Sequence, residues 1–109
     1  MKNFFLIAII VPVSLFAQQT TEYMFYDGHN REYILYIPSS YNSSQPTPIL
    51  FAFHGGTGYA DGFMNYEADF RPIADTAGFI LVYPQALGDP NDCFNTSWLH
   101  KDPTDHKDI

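Results

Sequence analysis

The feature that most constrains this chain is an uninterrupted apolar run that stops at a glycine-rich loop. Residues 49–53 read ILFAF, and residues 54–58 read HGGTG directly after them. A short apolar run without polar interruptions is typical of a strand that is covered on both faces, as in a parallel sheet. Three of the four positions after His54 are glycine, which is more than a tight exit from a strand requires. The sequence therefore predicts a loop at the end of a buried strand whose backbone amides are not shielded by side chains.

The segments on either side of this loop predict an α/β fold. Residues 22–26 and 31–37 are rich in aromatic and β-branched side chains and flank an Asp-Gly turn signal, which indicates an antiparallel hairpin. After the loop, apolar residues at helical spacing predict a short turn at residues 62–66 and then a helix. Residues 79–83 read FILVY and predict a second buried strand. Strand, helix and strand in this order form a parallel β-α-β unit.

Three residues set the expected limits of the helix. Asp69 is expected to be the N-cap, because its carboxylate can accept the first amide bonds. Pro72 would then lie in the first turn, where a missing N–H costs little. Gly78 is expected to end the helix in a left-handed conformation. Beyond Pro84 the sequence is polar apart from two short apolar pairs, and we predict no further strand there.

Two of the three interpretations of the glycine loop need no catalysis. Gly56 to Gly58 starts like the G-x-G of a dinucleotide-binding loop, but Asp61 occupies the next required glycine position, and no Gly-Lys-Ser/Thr follows. An acidic side chain beside a phosphate would repel it, which argues against a phosphate site. A second interpretation, that the glycines simply make a tight exit from the strand, stays open.

The third and favoured interpretation is an oxyanion hole. Acyl transfer forms a tetrahedral intermediate with a negative oxygen, and backbone N–H groups must point at that oxygen with no side chain in the way. In serine hydrolases of the α/β type, an HGGG-like loop after the third strand supplies one donor. The HGGT of this chain also follows its third predicted strand. We therefore predict oxyanion-hole amides at Gly55, Gly56 and Thr57, with His54 ordering the loop by hydrogen bonding rather than acting as a base.

Four segments of the chain resemble, in order, the opening of secreted polyhydroxybutyrate depolymerase-like and feruloyl or acetyl-xylan esterases of the α/β-hydrolase fold. They read REYILYIPSSY (31–41), PILFAFHGGTG (48–58), IADTAGFILVYPQALG (73–88) and CFNTSW (93–98). The resemblance implies an ester substrate of the polyester or plant polysaccharide type, no cofactor, and a Ser-Asp-His triad with the serine in a G-x-S-x-G turn. It covers essentially the whole chain after residue 17.

No G-x-S-x-G occurs in these 109 residues, so we assign no catalytic residue. His100 and His106 are not assigned as the triad base, because the resemblance implies that the histidine lies later. We expect the N-terminal part of an α/β-hydrolase with an incomplete sheet, in which residues 49–53 pair on one side with residues 79–83. The isolated 109-residue chain is expected to be inactive and to aggregate.

The first residues predict secretion. Residues 4–16 are apolar apart from Ser14, follow a short start with Lys2, and precede Ala17, which fits a signal peptide at residues 1–17. This run is shorter than the about 20 apolar residues of a membrane span, so no stable anchor is expected after cleavage. Residues 18–109 are then the hydrolase portion, and Cys93, the only cysteine, cannot close an internal disulfide.

Other classes of function are less well supported. The formal net charge of −7 argues against nucleic-acid binding. Residues 100–108 (HKDPTDHKD) contain metal-ligand side chains, but their spacing matches no closed metal site, so no metal is predicted. The aromatic residues would also suit a non-catalytic carbohydrate-binding module. Within the hydrolases, a prolyl-oligopeptidase-like peptidase shares the strand followed by a His-Gly loop and is the alternative. The oligomeric state is not predicted.

Overall fold

A computed structural model describes residues 16–89 and 92–98 of the chain. Of the predicted signal peptide, only residues 16 and 17 belong to the described part. Residues 100–108 lie entirely outside it. No helix within the described ranges is long and apolar enough to cross a bilayer.

The described part of the chain begins with the predicted hairpin. Strand β1 (Gln18–Tyr26) pairs antiparallel with strand β2 (His29–Ile37) along its whole length. The turn consists of Asp27 and Gly28, which have φ angles of 48° and 76°. Two successive positive φ angles define the turn whose twist matches that of paired strands, and Asp-Gly favours it. Both strands are longer than predicted, because cross-strand pairing recruits polar residues that have no strand pattern of their own.

The β-α-β unit is present as predicted. Strand β3 (Ile49–Phe51) is parallel to strand β4 (Ile80–Pro84), with Leu50 opposite Leu81. Strand β4 also pairs antiparallel with β2, so the four-stranded sheet has the order β1-β2-β4-β3. Strand β4 therefore lies in the interior of the sheet, and β3 lies at its edge within the described residues.

The crossover between β3 and β4 contains three short helical segments. Helix α1 (Ala60–Gly62) runs directly into a π-helical turn (Phe63–Glu67), and helix α2 (Arg71–Ala77) follows. Gly78 ends α2 in the left-handed conformation with φ 75° and ψ 51°, as predicted.

The expectation for the start of α2 was partly wrong. The N-cap is Phe70 and not Asp69, and Phe70 makes no side-chain cap. The Asp69 carboxylate still accepts the Arg71 amide at 3.1 Å and also binds the Arg71 guanidinium at 2.8 Å and 2.9 Å. The side-chain bond to the first turn of α2 thus comes from Asp69, one residue before the N-cap. Pro72 lies in the first turn, as predicted.

The helical segments cover one face of the sheet. Side chains alternate along the strands, so Ile34 and Tyr36 of β2 lie on the same face as Leu81 and Tyr83 of β4. Tyr83 is fully buried, and its hydroxyl accepts the Phe70 amide at 3.1 Å and donates to Ala68 O at 2.8 Å. This tyrosine joins the π-helical turn to the start of α2. The core consists of Ile34, Tyr36, Ala52, Ala60, Met64, Ala74, Leu81 and Tyr83.

The opposite face of the sheet is apolar and open. It holds a cavity of about 460 Å³, whose lining includes Leu35, Phe51, Phe53, Val82 and Trp98. Phe51 and Phe53 are more than half exposed. The expectation of an incomplete sheet agrees with this exposure.

The prediction of no strand beyond Pro84 was wrong. Strands β5 (Gly88–Asp89) and β6 (Asp92–Thr96) form a separate antiparallel pair. These strands are short and polar, so their sequence has no alternating pattern, and their pairing is a local hairpin. The pair matters for the site, because β6 brings Thr96 back to the glycine loop.

Candidate functional site

The glycine loop leaves the carboxyl end of β3, next to β4. The Ala52 amide donates to Val82 O at 2.9 Å and extends the parallel ladder by one bond. His54 is buried, with 3% of its surface exposed, whereas Gly55, Gly56 and Thr57 are exposed. In open α/β sheets, ligands bind beyond the carboxyl ends of the strands. The loop therefore lies where a ligand site is expected.

The hydrogen bonds of His54 define its tautomer. The Ala86 amide donates to Nε2 at 3.1 Å, and a backbone amide can only donate, so Nε2 carries no proton. The proton is on Nδ1, which donates to Gly55 O at 2.7 Å. Both ring nitrogens are thus committed to the backbone. The arrangement leaves no lone pair for proton abstraction, which agrees with a loop-ordering role, and that role stays a prediction.

The bond from His54 orients the next amide as well. The peptide between Gly55 and Gly56 is planar and trans, so its C=O and N–H point in opposite directions. Since Gly55 O accepts from His54 Nδ1 and from the Gly58 amide at 3.2 Å, the Gly56 N–H must point away from the buried ring. Within the described residues, the amides of Gly55 and Gly56 donate to no other group.

The three glycines of the loop differ in how much room surrounds them. A Cβ on Gly58 would lie 3.1 Å from Gly55 O and 3.2 Å from His54 Nδ1, so a side chain there would force the loop to shift. A Cβ on Gly55 or Gly56 would meet no atom within 4 Å. Contacts among the described residues therefore do not require glycine at these two positions.

Thr57 differs from its neighbours. Its φ of 65° is in the left-handed region, which is rare for a β-branched residue. Its amide donates to Thr96 O at 2.8 Å and is not available to an oxyanion in this arrangement. This leaves Gly55 and Gly56 as the candidate donors among the three predicted amides. The assignment of oxyanion-hole residues stays a prediction.

Two residues that sequence reasoning did not assign hold the loop in place. The Thr96 hydroxyl donates to Gly58 O. The indole Nε1 of Trp98 donates to His54 O at 2.7 Å, and its ring lies 4.9 Å from the His54 ring. Phe53 packs edge-to-face against Trp98 with ring centroids 5.2 Å apart. The NTSW sequence was part of the family resemblance, and this was the only signal that could have pointed to these residues.

The part of the chain that the structure describes holds no metal-binding cluster near the loop. Within residues 16–89 and 92–98, no three His, Cys, Asp or Glu side chains come together to hold an ion. The histidines and aspartates of residues 100–108 lie outside the described part, so that run is not tested. Both ring nitrogens of His54 already make hydrogen bonds to the backbone.

Comparison with known proteins identifies the fold. No family model and no curated protein matches the chain. Among solved structures, an S-formylglutathione hydrolase from Agrobacterium tumefaciens matches with a TM-score of 0.58. The chain has the fold of part of an α/β-hydrolase. The match covers 77% of this chain and 30% of that protein at 19% identity. The chain thus spans less than a third of this neighbour, and identity this low shows the fold alone.

Proposed function

We propose that this chain contributes the oxyanion hole of a carboxylic-ester hydrolase that uses a serine nucleophile. The amides of Gly55 and Gly56 would donate to the negative oxygen of the tetrahedral intermediate. His54 would hold the peptide that carries the Gly56 amide. Ester hydrolysis is supported by the fold and by the position of the loop at the carboxyl end of β3.

One observation carries this proposal. Gly55 and Gly56 present amides with no partner among the described residues, and neither position is crowded by the chain. A tight turn would need glycine only where a positive φ or a close contact excludes a side chain, and neither condition holds at these two positions. An oxyanion hole requires both features, since the reacting group must reach the amides.

The substrate class and the compartment are narrower proposals. The four segments quoted above are similar to secreted polyhydroxybutyrate depolymerase-like and feruloyl esterases, so we propose a polyester or an acylated plant polysaccharide as substrate. The apolar start of the chain supports export. Both proposals rest on sequence alone.

The 109 residues do not supply the whole reaction. Removing one oxyanion donor costs an enzyme about 2.7–4 kcal/mol of transition-state stabilisation. Enzymes provide about 8–23 kcal/mol over the uncatalysed reaction. Amides without a nucleophile or a base fall far short of this range. We therefore propose that the isolated chain has no esterase activity, and that activity requires a serine from sequence beyond these residues.

The test uses the complete translated product of the gene that encodes this chain, with p-nitrophenyl acetate and methyl ferulate as substrates. Gly56→Ala is the informative variant, because the added methyl group meets no described atom within 4 Å but would occupy the space of the proposed bound group. We expect kcat/KM to fall at least about 10-fold with an unchanged thermal midpoint. Gly62→Ala is the matched control, since a Cβ there also meets nothing within 4 Å.

Two results would count against the proposal. If the complete product hydrolyses neither ester and reacts with no fluorophosphonate probe, it is not a serine esterase. If Gly56→Ala retains full activity, the glycines serve only the turn. Turnover by the isolated 109-residue chain above a heat-denatured control would contradict the proposed inactivity.

A further inference from the structure

We propose that Gln85 is a positioning residue of the glycine loop, taken together with the two residues at the start of α1 (residues 54–60). Its amide group contacts both ends of the loop, at His54 and at Ala60. This inference rests on the proposed function, because the orientation of the loop amides matters for catalysis only if an oxyanion binds there. It assigns to Gln85 a role in setting the direction of the Gly56 N–H.

The backbone of Gln85 is anchored to the sheet. Gln85 follows the last residue of β4, and its amide donates to Glu32 O of β2 at 2.9 Å. The side chain therefore starts from the carboxyl end of an interior strand. A short link from a rigid element gives more precise placement than a contact from another loop.

One end of the loop is held through Ala60. The first amide of α1 donates to Gln85 Oε1 at 2.8 Å. Tyr59, the N-cap residue, provides no side-chain bond, and Ala60 is 1% exposed. Gln85 therefore satisfies a buried helix-terminal amide that has no local cap. Since this amide can only donate, it also determines that Oε1 and not Nε2 of Gln85 faces Ala60.

The other end is held through His54. With Oε1 directed at Ala60, Gln85 Nε2 lies 3.3 Å from His54 Nε2 and donates to Ala86 O at 3.2 Å. The side chain of Gln85 and the Ala86 amide thus both present hydrogens to His54 Nε2. Two donors at one ring nitrogen favour the tautomer with the proton on Nδ1.

The tautomer of His54 affects the proposed oxyanion hole through a single hydrogen bond. Only a proton on Nδ1 can donate to Gly55 O, which lies 2.7 Å away. That bond sets the plane of the peptide that carries the Gly56 N–H. With the proton on Nε2 instead, Nδ1 and Gly55 O would be two acceptors in contact, and the peptide would have to rotate.

The variant Gln85→Glu keeps the contact with Ala60 and changes the contact with His54. A carboxylate can still accept the Ala60 amide, but it offers no hydrogen to His54. Its negative charge favours a proton on Nε2, in competition with the bond that the Ala86 amide donates to the same nitrogen. Gln45→Glu is the matched control, because it adds the same charge at an exposed loop position. Both variants are made in the complete translated product. The measurements are the ¹⁵N shifts of the His54 ring, kcat and KM for p-nitrophenyl acetate, and the thermal midpoint.

We expect the parent protein and Gln45→Glu to show His54 with its proton on Nδ1. Gln85→Glu should move the proton to Nε2 and lower kcat at least about 10-fold, with KM changed less than about twofold. A His54 ring that keeps its proton on Nδ1, with or without a second proton on Nε2, overturns the proposal, and so does a kcat within about twofold of the parent.

The ring shifts keep this test independent of the proposed function. If the complete product hydrolyses no ester, the proposed function fails, and the His54 shifts alone decide whether Gln85 sets the tautomer. If Gln85→Glu does not fold, Gln85→Met replaces it, since it removes both polar atoms without adding a charge. A folded Gln85→Met protein must then lose at least about fivefold in kcat, and a smaller loss refutes the inference.

Discussion

The amide of Thr57 donates a hydrogen bond of 2.8 Å to the carbonyl oxygen of Thr96. The Thr96 hydroxyl in turn donates to Gly58 O. These two bonds connect the exposed turn of the glycine loop to β6, which belongs to a different sheet. They hold Thr57 in a left-handed conformation that a β-branched residue rarely adopts.

Thr96→Val should destabilise the complete protein. The change keeps the shape and the backbone carbonyl of Thr96 but removes the hydroxyl that donates to Gly58 O. Because Thr96 is buried, we expect the free energy of unfolding to fall by about 1–3 kcal/mol in urea titrations. Thr47→Val removes an exposed hydroxyl whose bond to Gln45 O is longer, at 3.3 Å, and should change stability by less than about 0.5 kcal/mol. Equal effects of the two variants would contradict this role of Thr96.

Tyr83→Phe should also destabilise the protein, for a different reason. Removing the hydroxyl leaves the Phe70 amide and Ala68 O without their partner in the core. We expect a loss of about 1–3 kcal/mol in the free energy of unfolding, and faster hydrogen exchange at the Phe70 amide. The control is Tyr66→Phe, at a side chain that is 89% exposed, where stability should not change measurably. Unaltered exchange at Phe70 in Tyr83→Phe would show that another group satisfies this amide.

Tyr36 should make stability depend on alkaline pH. Burial, together with the 2.8 Å hydrogen bond to Asp75 Oδ2, raises the pKa of Tyr36 from 10.0 to about 12. The folded state thus holds the phenolic proton more tightly than the unfolded state does. This contribution to stability is fully present below pH 10.0 and is lost as the pH rises to about 12.

Comparison of the parent with Tyr36→Phe tests this dependence. At about pH 8 the variant should be less stable by about 1 kcal/mol, because it lacks the bond to Asp75. At about pH 11 the difference in unfolding free energy should be smaller, since only the parent has a phenol at position 36 that ionises. Tyr59→Phe, at an exposed tyrosine, should match the parent at both pH values. A difference that stays constant or grows with pH would rule out Tyr36 as the source.

The isolated chain should aggregate through the edge strand β3. Ile49, Phe51 and Phe53 are each more than half exposed, and β3 pairs only with β4 among the described strands. Unpaired, apolar strand edges promote edge-to-edge association. Phe51→Glu should raise the soluble fraction of the isolated 109-residue chain several-fold, as measured by sedimentation. Tyr66→Glu adds the same charge at an exposed helical position and should have little effect. If both variants improve solubility equally, net charge and not the edge is responsible.

Local features of the fold could be predicted from the sequence. The Asp27–Gly28 turn and the left-handed end of α2 at Gly78 appear in the structure. Each depends on groups within a few residues of one another. Of the strand predicted at residues 49–53, only residues 49–51 form β3, and the expectation that it is buried on both faces was wrong, because the described residues cover it on one edge only and leave its side chains exposed. The β5–β6 pair was missed, because short polar strands have no periodic pattern that distinguishes them from a loop.

The contacts that shape the candidate site could not be predicted in the same way. Trp98 and Gln85 lie far from His54 in the sequence, and only the sheet order brings them to it. The availability of each loop amide depends on those contacts. From the sequence, the three amides at Gly55, Gly56 and Thr57 are equivalent, whereas the structure shows that Thr57 is already bonded to Thr96.

The sequence by itself determined where backbone is bare and where strands and turns begin, because glycine, proline and side-chain periodicity act on their immediate neighbours. Only the tertiary structure decided which nitrogen of His54 carries the proton and which amides remain available. Those properties belong to hydrogen bonds between distant segments, and a hydrogen bond has a direction only once both partners are in place.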